Sequence, residues 1–335
     1  MKLATPRWWY SRAPRRLMAM RALAAPISWI WMATTARRIA RSQPVEPGVP
    51  VICVGNVTMG GAGKTPIVRE LLARLTARGL AAHGLSRGHG GRLKGPVRVN
   101  PDHHSAADVG DEPLMLARDY PIWISRDRPA GARAAAEAGA QVVVMDDGHQ
   151  NPSLKKALSL IVVDGETRDE EWPFGDGSVF PLGPMREPLA AGLARADAVV
   201  VLMPSDLAEP DPELLAMLGE TPVLIARLEP AAPPPPGPQV GFAGVGKPWK
   251  VERSLEAAGC DLVDFAPLAD HATLSEDDLR ALAVRARKLG AGLVTTEKDW
   301  VKLPPVWRNR IAAWPVRARF ENEAALDRLL DGVVR

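Results

Sequence analysis

Residues 51–66 constrain this chain most, because an apolar strand there leads through a glycine-rich turn into the start of a helix. The apolar residues 51–54 predict a buried strand, and apolar residues at helical spacing within 66–77 predict the helix. Successive backbone N–H groups at a helix N-terminus attract phosphate oxygens, because they carry the positive end of the helix dipole. The segment therefore predicts a cradle for nucleotide phosphates.

The turn departs from the usual pattern G-x-x-x-x-G-K-[ST] at its first glycine, which is replaced by Thr58. In that pattern the last glycine allows close backbone approach, the lysine reaches the β/γ-phosphates and the hydroxyl binds Mg²⁺. A glycine-rich turn that binds nothing is the alternative, but the flanking strand and helix favour phosphate binding. The residues expected to hold the phosphates are Thr58, Met59, Gly60, Gly61, Ala62, Gly63, Lys64 and Thr65.

Length and composition indicate an ordinary globular protein. The 335 residues are 46% hydrophobic and 24% charged, which permits a substantial core and suggests two domains. The two cysteines, Cys53 and Cys260, form neither a disulfide framework nor a metal site, and the six histidines lack the spacing of zinc ligands. A reducing compartment without a zinc site is therefore expected.

The N-terminal segment 1–42 holds nine Lys or Arg and no acid, whereas the rest of the chain is acidic on balance. It also contains four tryptophans and an uncharged run over 22–36, which is too short to span ~30 Å of hydrocarbon. Basic flanks around an apolar centre are typical of a helix lying in the headgroup layer of an anionic membrane. A secretion signal and a helix that packs on its own protein are the alternatives. Nucleic acid is not expected as a partner, because large apolar residues interrupt the basic ones. No obligate protein partner is inferred either.

Apolar runs alternate with helical patterns over the rest of the chain. Continuous apolar strands indicate an α/β fold, in which a parallel sheet carries helices on both faces. A proline-rich stretch is too stiff for a helix or a central strand and indicates a boundary between lobes. The apolar runs are 142–145, 160–163, 198–202, 223–226, 240–243 and 293–295. The predicted parts are a membrane-associating segment (1–42), a P-loop domain (43–229), a proline-rich linker (230–238) and a smaller α/β lobe (239–335).

Acidic residues stand where such a sheet would present them to a ligand. Asp146 and Asp147 follow an apolar run, at the carboxyl edge where open α/β sheets bind ligands, and are expected on the Mg²⁺ side. A simple turn at the strand end is the alternative. Asp111 precedes a helical pattern and is either an N-terminal cap or a base. His271 lies beyond the linker, and a cleft between lobes could bring it against Asp111 to orient a base for an incoming hydroxyl.

Together these motifs resemble those of the tetraacyldisaccharide 4'-kinases of lipid A synthesis. The resemblance covers nearly the whole chain, and the family's loop similarly has a threonine where Thr58 stands. The further motifs that carry the resemblance are Ser86-Arg87-Gly88, Gly110-Asp111-Glu112-Pro113, Asp146-Asp147-Gly148, Gly183-Pro184-Met185-Arg186-Glu187-Pro188, Asp270-His271 and Thr295-Thr296-Glu297-Lys298-Asp299.

The resemblance implies transfer of the ATP γ-phosphate to the 4'-hydroxyl of an acylated glucosamine disaccharide 1-phosphate, at the cytoplasmic face of the bacterial inner membrane. It implies a P-loop domain and a smaller lobe with the substrate entering between them. Asp111 would be the base, assisted by His271, with Lys64 on the phosphates. Thr65, Asp146 and Asp147 would serve Mg²⁺. Arg186 and Glu187 would form a further active-site pair, and the remaining substrate-side residues would be Ser86, Arg87, Glu112 and Asn151.

The chain departs from the family pattern at a few positions. Where members usually read Asp-Asp-Gly-Phe-Gln-His, this chain has His149 for the phenylalanine and Asn151 for the last histidine. Asn151 can form hydrogen bonds but carries no charge. His89 replaces an aromatic residue, and Ala272 replaces a second histidine.

Two other functions remain open from the sequence. Partition-type ATPases also combine a glycine-rich loop with a membrane helix, but their loop has a lysine just before Gly-Gly, where this chain has Met59. A catalytically idle nucleotide-binding module is the other alternative, and it is disfavoured by the three separate acidic clusters at 108–112, 146–147 and 270–271.

Overall fold

Two β-sheets organise the chain in a computed structural model that describes residues 6–12, 18–168 and 171–334. The strands are β1 (Val51–Gly55), β2 (Ala82–Ser86), β3 (Val97–Arg98), β4 (Ile122–Ile124), β5 (Val142–Asp146), β6 (Leu158–Asp164), β7 (Ala198–Pro204), β8 (Val223–Pro230), β9 (Gln239–Ala243), β10 (Leu262–Pro267), β11 (Gly292–Thr296), β12 (Ile311–Trp314) and β13 (Val316–Phe320). Every apolar run that the sequence predicts as a strand is one, so these predictions are confirmed.

Helices connect most of the strands. A short 3-10 helix (Arg7–Tyr10) precedes α1 (Met18–Arg41), α2 (Lys64–Ala77), α3 (Ala106–Val109), α4 (Asp111–Leu116), α5 (Arg128–Glu137), α6 (Leu189–Leu193), α7 (Pro212–Met217), α8 (Pro248–Ala257), α9 (Glu276–Lys288), α10 (Glu297–Trp300), α11 (Pro305–Arg308) and α12 (Glu323–Asp331). Helix α2 begins at Lys64, two residues before the predicted start, and Pro66 lies in its first turn.

The first sheet has nine strands in the order β13-β8-β7-β6-β1-β5-β2-β4-β3. All neighbours are parallel except β13–β8 and β3–β4, which are antiparallel edge pairs. β1 lies between β5 and β6, so the carboxyl ends of β6, β1, β5 and β2 meet at one edge of the sheet. This edge is where an open α/β sheet binds ligands.

Side chains of the central strands alternate between two buried faces. Ile52 and Val54 pack with helix α2 in one apolar cluster, whereas Val51 and Cys53 pack with α5 in another. Both faces are covered because strand side chains alternate in direction while every residue of β1 is apolar or glycine. The prediction of a parallel-dominated α/β sheet with helices on both faces is therefore confirmed.

The second sheet is smaller and parallel throughout, in the order β10-β9-β11-β12. The predicted lobe 239–335 extends beyond this sheet, because β13 pairs with β8 of the first sheet. The predicted linker 230–238 likewise overlaps β8, whose last residue is Pro230. Pro230 is tolerated there because it ends the strand. The predicted division of the chain into four parts otherwise stays a prediction.

Helix α1 packs on the protein along one side. The Ser28 hydroxyl donates to the Val179 carbonyl over 2.9 Å, and the Trp31 indole N–H donates to the Arg186 carbonyl over 2.9 Å. Among the described residues, no helix is both long and apolar enough to cross a membrane. The predicted basic residues Lys2, Arg15 and Arg16 lie outside the described part of the chain.

The return of the chain to the first sheet predicts a stability effect at Leu326 in α12. Leu326 is fully buried in the same apolar cluster as α2. We expect Leu326→Ala to lower the free energy of unfolding by about 2–5 kcal/mol, because it leaves a cavity in that core. Urea unfolding monitored by tryptophan fluorescence measures the change. Leu289→Ala, at a residue 46% exposed, is the control and should change the free energy by less than about 0.5 kcal/mol. Equal effects of the two variants would contradict the assignment of α12 to the core of the first sheet.

Candidate active site

The glycine-rich loop between β1 and α2 is shaped by backbone constraints. Gly63 has a φ of 76°, which L-residues rarely adopt. A Cβ atom at Gly63 would also lie 2.2 Å from Leu202 Cδ2. No other residue fits this position without strain, so the loop can present its N–H groups at the start of α2. Lys64 is the first residue of α2, and Thr65 follows it in the first turn.

A second segment holds this loop in place. The Met59 N–H donates to the Pro184 carbonyl over 2.6 Å, and the Arg186 Nε donates to the Thr58 carbonyl over 2.9 Å. The Tyr10 hydroxyl donates to the Met59 carbonyl over 2.6 Å. Ala62 is buried, whereas Gly60 and Gly61 leave the loop open to solvent. Of the eight predicted residues, the first six form the turn, and Lys64 and Thr65 begin α2.

Asp146 and Asp147 lie beside the loop and differ in electrostatic state. Burial raises the pKa of Asp146 to about 7, and the negative charge of Glu112 adds to this. Partial burial also raises the pKa of Asp147, but the charges of Lys64 and Arg186 outweigh it and hold that pKa well below its ordinary value. Asp147 Oδ1 lies 3.4 Å from Lys64 Nζ and 2.8 Å from Arg186 Nη1. The loop lysine, the acidic pair and Arg186 thus form one cluster.

The donor set of this cluster fits Mg²⁺. Asp146 Oδ1 is buried and has no hydrogen-bond partner, which is the state of a buried oxygen that an ion or a water completes. Carboxylate and hydroxyl oxygens are the hard donors that Mg²⁺ takes, usually one or two carboxylates beside substrate phosphates. Asp146, Asp147 and Thr65 provide such donors next to the phosphate loop.

Asp111 and His271 meet across the two sheets. Asp111 is the first residue of α4, and His271 follows β10 of the second sheet. His271 Nδ1 lies 2.8 Å from Asp111 Oδ2. Burial raises the pKa of Asp111, but the hydrogen bond from His271 and the charge of Lys298 outweigh it and lower the pKa to about 2. The predicted contact is present, and Asp111 is not the helix cap, because that position is Gly110.

Backbone strain is concentrated at these residues. Of the non-glycine residues that the structure describes, Asp147 and His271 have left-handed φ angles, of 50° and 56°. Gly110, just before Asp111, has a φ of 92°, and a Cβ there would lie 2.6 Å from the His89 carbonyl oxygen. Such conformations persist only where the surroundings impose them and tend to cluster at functional sites.

The phosphate loop and His271 line the same cleft. A Cβ atom at Gly246 would lie 3.6 Å from the Gly61 nitrogen and 3.6 Å from Asp270 Oδ2, so the loop after β9 sits between the two. An ion pair joins the lobes nearby, with Lys247 Nζ 3.1 Å from Asp164 Oδ2. The loop after β9 therefore lies close both to the phosphate loop and to Asp270, the neighbour of His271.

Several predicted substrate-side residues have other contacts. Arg186 does not pair with Glu187, because Glu187 is buried and binds Arg195 Nη2 through both carboxylate oxygens at 2.7 Å. Gln150 also donates to Glu187, over 2.9 Å. Asn151 Oδ1 accepts from the Ser153 N–H and hydroxyl and stabilises a turn.

The other substrate-side residues stand at the same edge of the first sheet. Ser86 is buried at the end of β2, and Arg87 is exposed directly after it. Glu112 accepts a hydrogen bond from Lys298 Nζ over 3.1 Å. His149, a departure from the family pattern, is buried between the Ser159 hydroxyl and the Gly192 carbonyl.

Sequence reasoning missed two charged residues at the site. Lys298, at the start of α10, lies among Glu112, Asp111 and Asp270. It belongs to the motif 295–299, but no role was predicted for it. Arg128 donates to the Asp146 carbonyl over 3.3 Å from inside the core, where burial lowers its pKa. The motif position could have indicated Lys298, whereas no local pattern marks Arg128.

Comparison with known proteins gives the chain its relatives. The family described as tetraacyldisaccharide-1-P 4'-kinase matches residues 20–335. Tetraacyldisaccharide 4'-kinases from Caulobacter vibrioides and Maricaulis maris are 68% and 50% identical to it, over 99% and 98% of this chain and 99% and 96% of theirs. A crystal structure of LpxK from Aquifex aeolicus in complex with ATP is 24% identical and has the same fold, with a TM-score of 0.74 over 94% of this chain and 100% of that one. The chain therefore belongs to the tetraacyldisaccharide-1-P 4'-kinase family.

Proposed function

We propose that this protein transfers the γ-phosphate of ATP to the 4'-hydroxyl of a tetraacylated glucosamine disaccharide 1-phosphate in lipid A biosynthesis. Its relatives carry that activity in their names. The observation that carries the proposal is the arrangement of the cleft. The Asp111 carboxylate is bonded to His271, and the loop after β9 lies between Asp270, next to His271, and the phosphate loop before Lys64.

Each group has a role that phosphoryl transfer requires. The reaction needs alignment and charge neutralisation more than covalent help from the protein. Lys64 and the loop N–H groups would bind the triphosphate. Arg186, which contacts Asp147, would neutralise negative charge on the phosphates. Asp111 accepts the hydroxyl proton while the acceptor oxygen bonds to the γ-phosphorus and the bond to the β–γ bridging oxygen breaks.

Mg²⁺ would be held by Asp146, Asp147 and Thr65. When bound, it neutralises phosphate charge and orients the triphosphate. The protein gives the two carboxylates different surroundings. Asp147 is tied to Lys64 and Arg186, whereas the buried Asp146 keeps one oxygen without a hydrogen-bond partner.

We further propose that α1 rests on an anionic membrane at the cytoplasmic face of the inner membrane. Leu23, Ile27 and Ile30 follow each other at helical spacing and are 80%, 54% and 64% exposed. An exposed apolar stripe of this kind is uncommon on a soluble surface, and the exposed Arg37 and Arg41 near its end suit anionic headgroups. An adjoining side of α1 packs on the protein, where Ser28 bonds the Val179 carbonyl and Trp31 bonds the Arg186 carbonyl. A lipid acceptor would thus reach the cleft from the membrane that α1 touches.

Asp111→Asn tests the base. It removes the proton acceptor while keeping the side chain's shape, so we expect kcat to fall by about 10²- to 10⁴-fold, with ATP binding retained. Label from γ-³²P-ATP is followed with Mg²⁺ and the disaccharide lipid, and ATP binding is measured by calorimetry. Asp102→Asn, at an exposed aspartate, is the control and should leave turnover unchanged. Near-normal turnover of Asp111→Asn would reject the base, and label found only in free phosphate would favour the partition-type ATPase.

The membrane proposal has its own test. Replacing Leu23, Ile27 and Ile30 together by glutamine should weaken binding to vesicles that contain phosphatidylglycerol by about tenfold or more, because each side chain is worth up to about 1.5–3 kcal/mol when fully buried. Cosedimentation measures the bound fraction. The matched control replaces Val284, Leu289 and Val306, which are exposed on the second lobe, by glutamine. Equal binding by both triple variants would remove α1 as the membrane contact.

A further inference from the structure

Tyr10 contacts the phosphate loop from the N-terminal end of the chain, and the proposed function gives it no role. It is the last residue of the 3-10 helix. Its hydroxyl donates to the Met59 carbonyl over 2.6 Å, although the two residues lie 49 positions apart. Burial raises the pKa of Tyr10 to about 12, against the opposing charge of Lys247. The hydroxyl therefore keeps its proton at neutral pH and acts as a donor.

The backbone around Tyr10 is held by a segment between β6 and α6. The Trp172 N–H donates to the Tyr10 carbonyl over 2.7 Å. Ser11 forms a β-bridge with Glu171, and the Arg12 guanidinium stacks on the Trp172 ring, 3.7 Å from its centroid. These contacts hold Tyr10 in place without using its hydroxyl. The hydroxyl can therefore be removed while the segment keeps its other contacts.

Lys247 connects this tyrosine to the second lobe. It is the N-cap of α8 and follows Gly246, where a Cβ atom would lie 3.6 Å from the Gly61 nitrogen. Lys247 Nζ lies 4.9 Å from the centroid of the Tyr10 ring, within the range of a cation–π contact. Asp164, at the end of β6, accepts a hydrogen bond from the same ammonium over 3.1 Å. The Tyr10 ring therefore lies where the phosphate loop, the first sheet and the second lobe meet.

Two successive peptides lead into the glycine turn. The peptide before Met59 is held at both its polar groups, since the Met59 N–H donates to the Pro184 carbonyl and the Thr58 carbonyl accepts from Arg186 Nε. The peptide after Met59 is held through its carbonyl by the Tyr10 hydroxyl. Within the described part of the chain, no other hydrogen bond acts on that second peptide. The bond from Tyr10 is therefore the contact that sets its orientation.

The orientation of this peptide matters because flexible residues follow it. A trans peptide is planar and its C=O and N–H point in opposite directions, so a bond to the Met59 carbonyl also directs the Gly60 N–H. Gly60 has a φ of 88°, and a Cβ atom at Gly61 would meet no neighbouring structure within 4 Å. Glycine adopts more backbone conformations than other residues, so the pair does not define its own path. The path of the turn toward Lys64 therefore depends on how the turn is entered.

We propose that Tyr10 is a positioning residue for nucleotide binding, whose hydroxyl orders the start of the glycine turn before the nucleotide arrives. Ordering a flexible loop costs conformational entropy, and a loop that is already ordered avoids that cost on binding. The N-terminal segment thus serves the nucleotide site as well as the membrane contact proposed for α1. The proposal rests on the proposed function for its kinetic readout, but the affinity for ATP is measured without any lipid.

Tyr10→Phe in the full chain tests this role, because it removes the hydroxyl and keeps the ring beside Lys247. Calorimetry with ATP and Mg²⁺ should give a Kd about 3- to 10-fold higher, the effect of losing one hydrogen bond. The KM for ATP should rise by the same factor, whereas kcat at saturating ATP and the KM for the disaccharide lipid should stay unchanged. Without nucleotide, hydrogen exchange followed by mass spectrometry should become faster in the peptide that contains Met59.

Tyr120→Phe is the matched control, because the chain has two tyrosines and Tyr120 lies between α4 and β4, against the apolar core of the first sheet. It should leave the Kd for ATP and the exchange of the loop unchanged. Cosedimentation of Tyr10→Phe with vesicles that contain phosphatidylglycerol should match that of the unmodified protein, which separates the effect on the loop from the membrane contact.

The outcomes distinguish a positioning role from a structural one. Equal affinity for ATP and equal exchange in Tyr10→Phe and the unmodified protein would overturn the proposal. A lower kcat at saturating ATP with an unchanged Kd would overturn it too, because the hydroxyl would then act on the chemical step. Absence of label in the lipid with the unmodified protein would reject the proposed function, whereas the Kd and the exchange would still decide the role of Tyr10.

Discussion

The contact of His271 with Asp111 is the interaction on which the site depends, because it joins groups from two sheets that share no strand pairing. It is surrounded by ion pairs between the lobes, including Lys298–Glu112, Arg69–Glu297 and Lys247–Asp164. Buried pairs of this kind add little net stability compared with apolar packing, but breaking one leaves an uncompensated charge and is costly. Their main effect here is therefore to define one docking geometry, with Asp111 and His271 in register.

Charge also separates the roles of two adjacent carboxylates. Asp146 and Asp147 are neighbours in the chain, yet their pKa values move in opposite directions. Asp146 belongs to β5 and is enclosed by the sheet, so its charge is poorly solvated. Asp147 turns out through a left-handed backbone toward Lys64 and Arg186. A raised pKa means that Asp146 lowers the stability of the fold progressively as pH rises from its ordinary pKa near 3.8 to about 7, whereas the depressed pKa of Asp147 stabilises the fold until the pH falls to strongly acidic values. A bound cation would relieve the cost at Asp146.

Much of the fold followed from local patterns. Continuous apolar runs marked β1, β5, β6, β7, β8, β9 and β11, because strands buried on both faces need apolar side chains at every position. Strands β2, β3, β4, β10, β12 and β13 were missed, since runs such as 82–86 contain histidine, glycine and serine that only the neighbouring strands explain. The local patterns also did not predict where the second lobe ends. Whether β13 pairs in one sheet or the other depends on which edge is free, and that edge is β8.

The amino-acid order alone determined the chemistry that is available: a phosphate loop at a strand end, carboxylates at neighbouring strand ends, and a distant histidine. These features follow from spacing and residue type, because the carboxyl ends of parallel strands meet at one edge. Only the tertiary structure decided the partners. It paired Arg186 with Asp147 instead of Glu187, gave Glu187 to Arg195, and brought Lys298 against His271. Such choices depend on distances between residues far apart in the chain, and these are set when the lobes pack, by long-range contacts that no local pattern encodes.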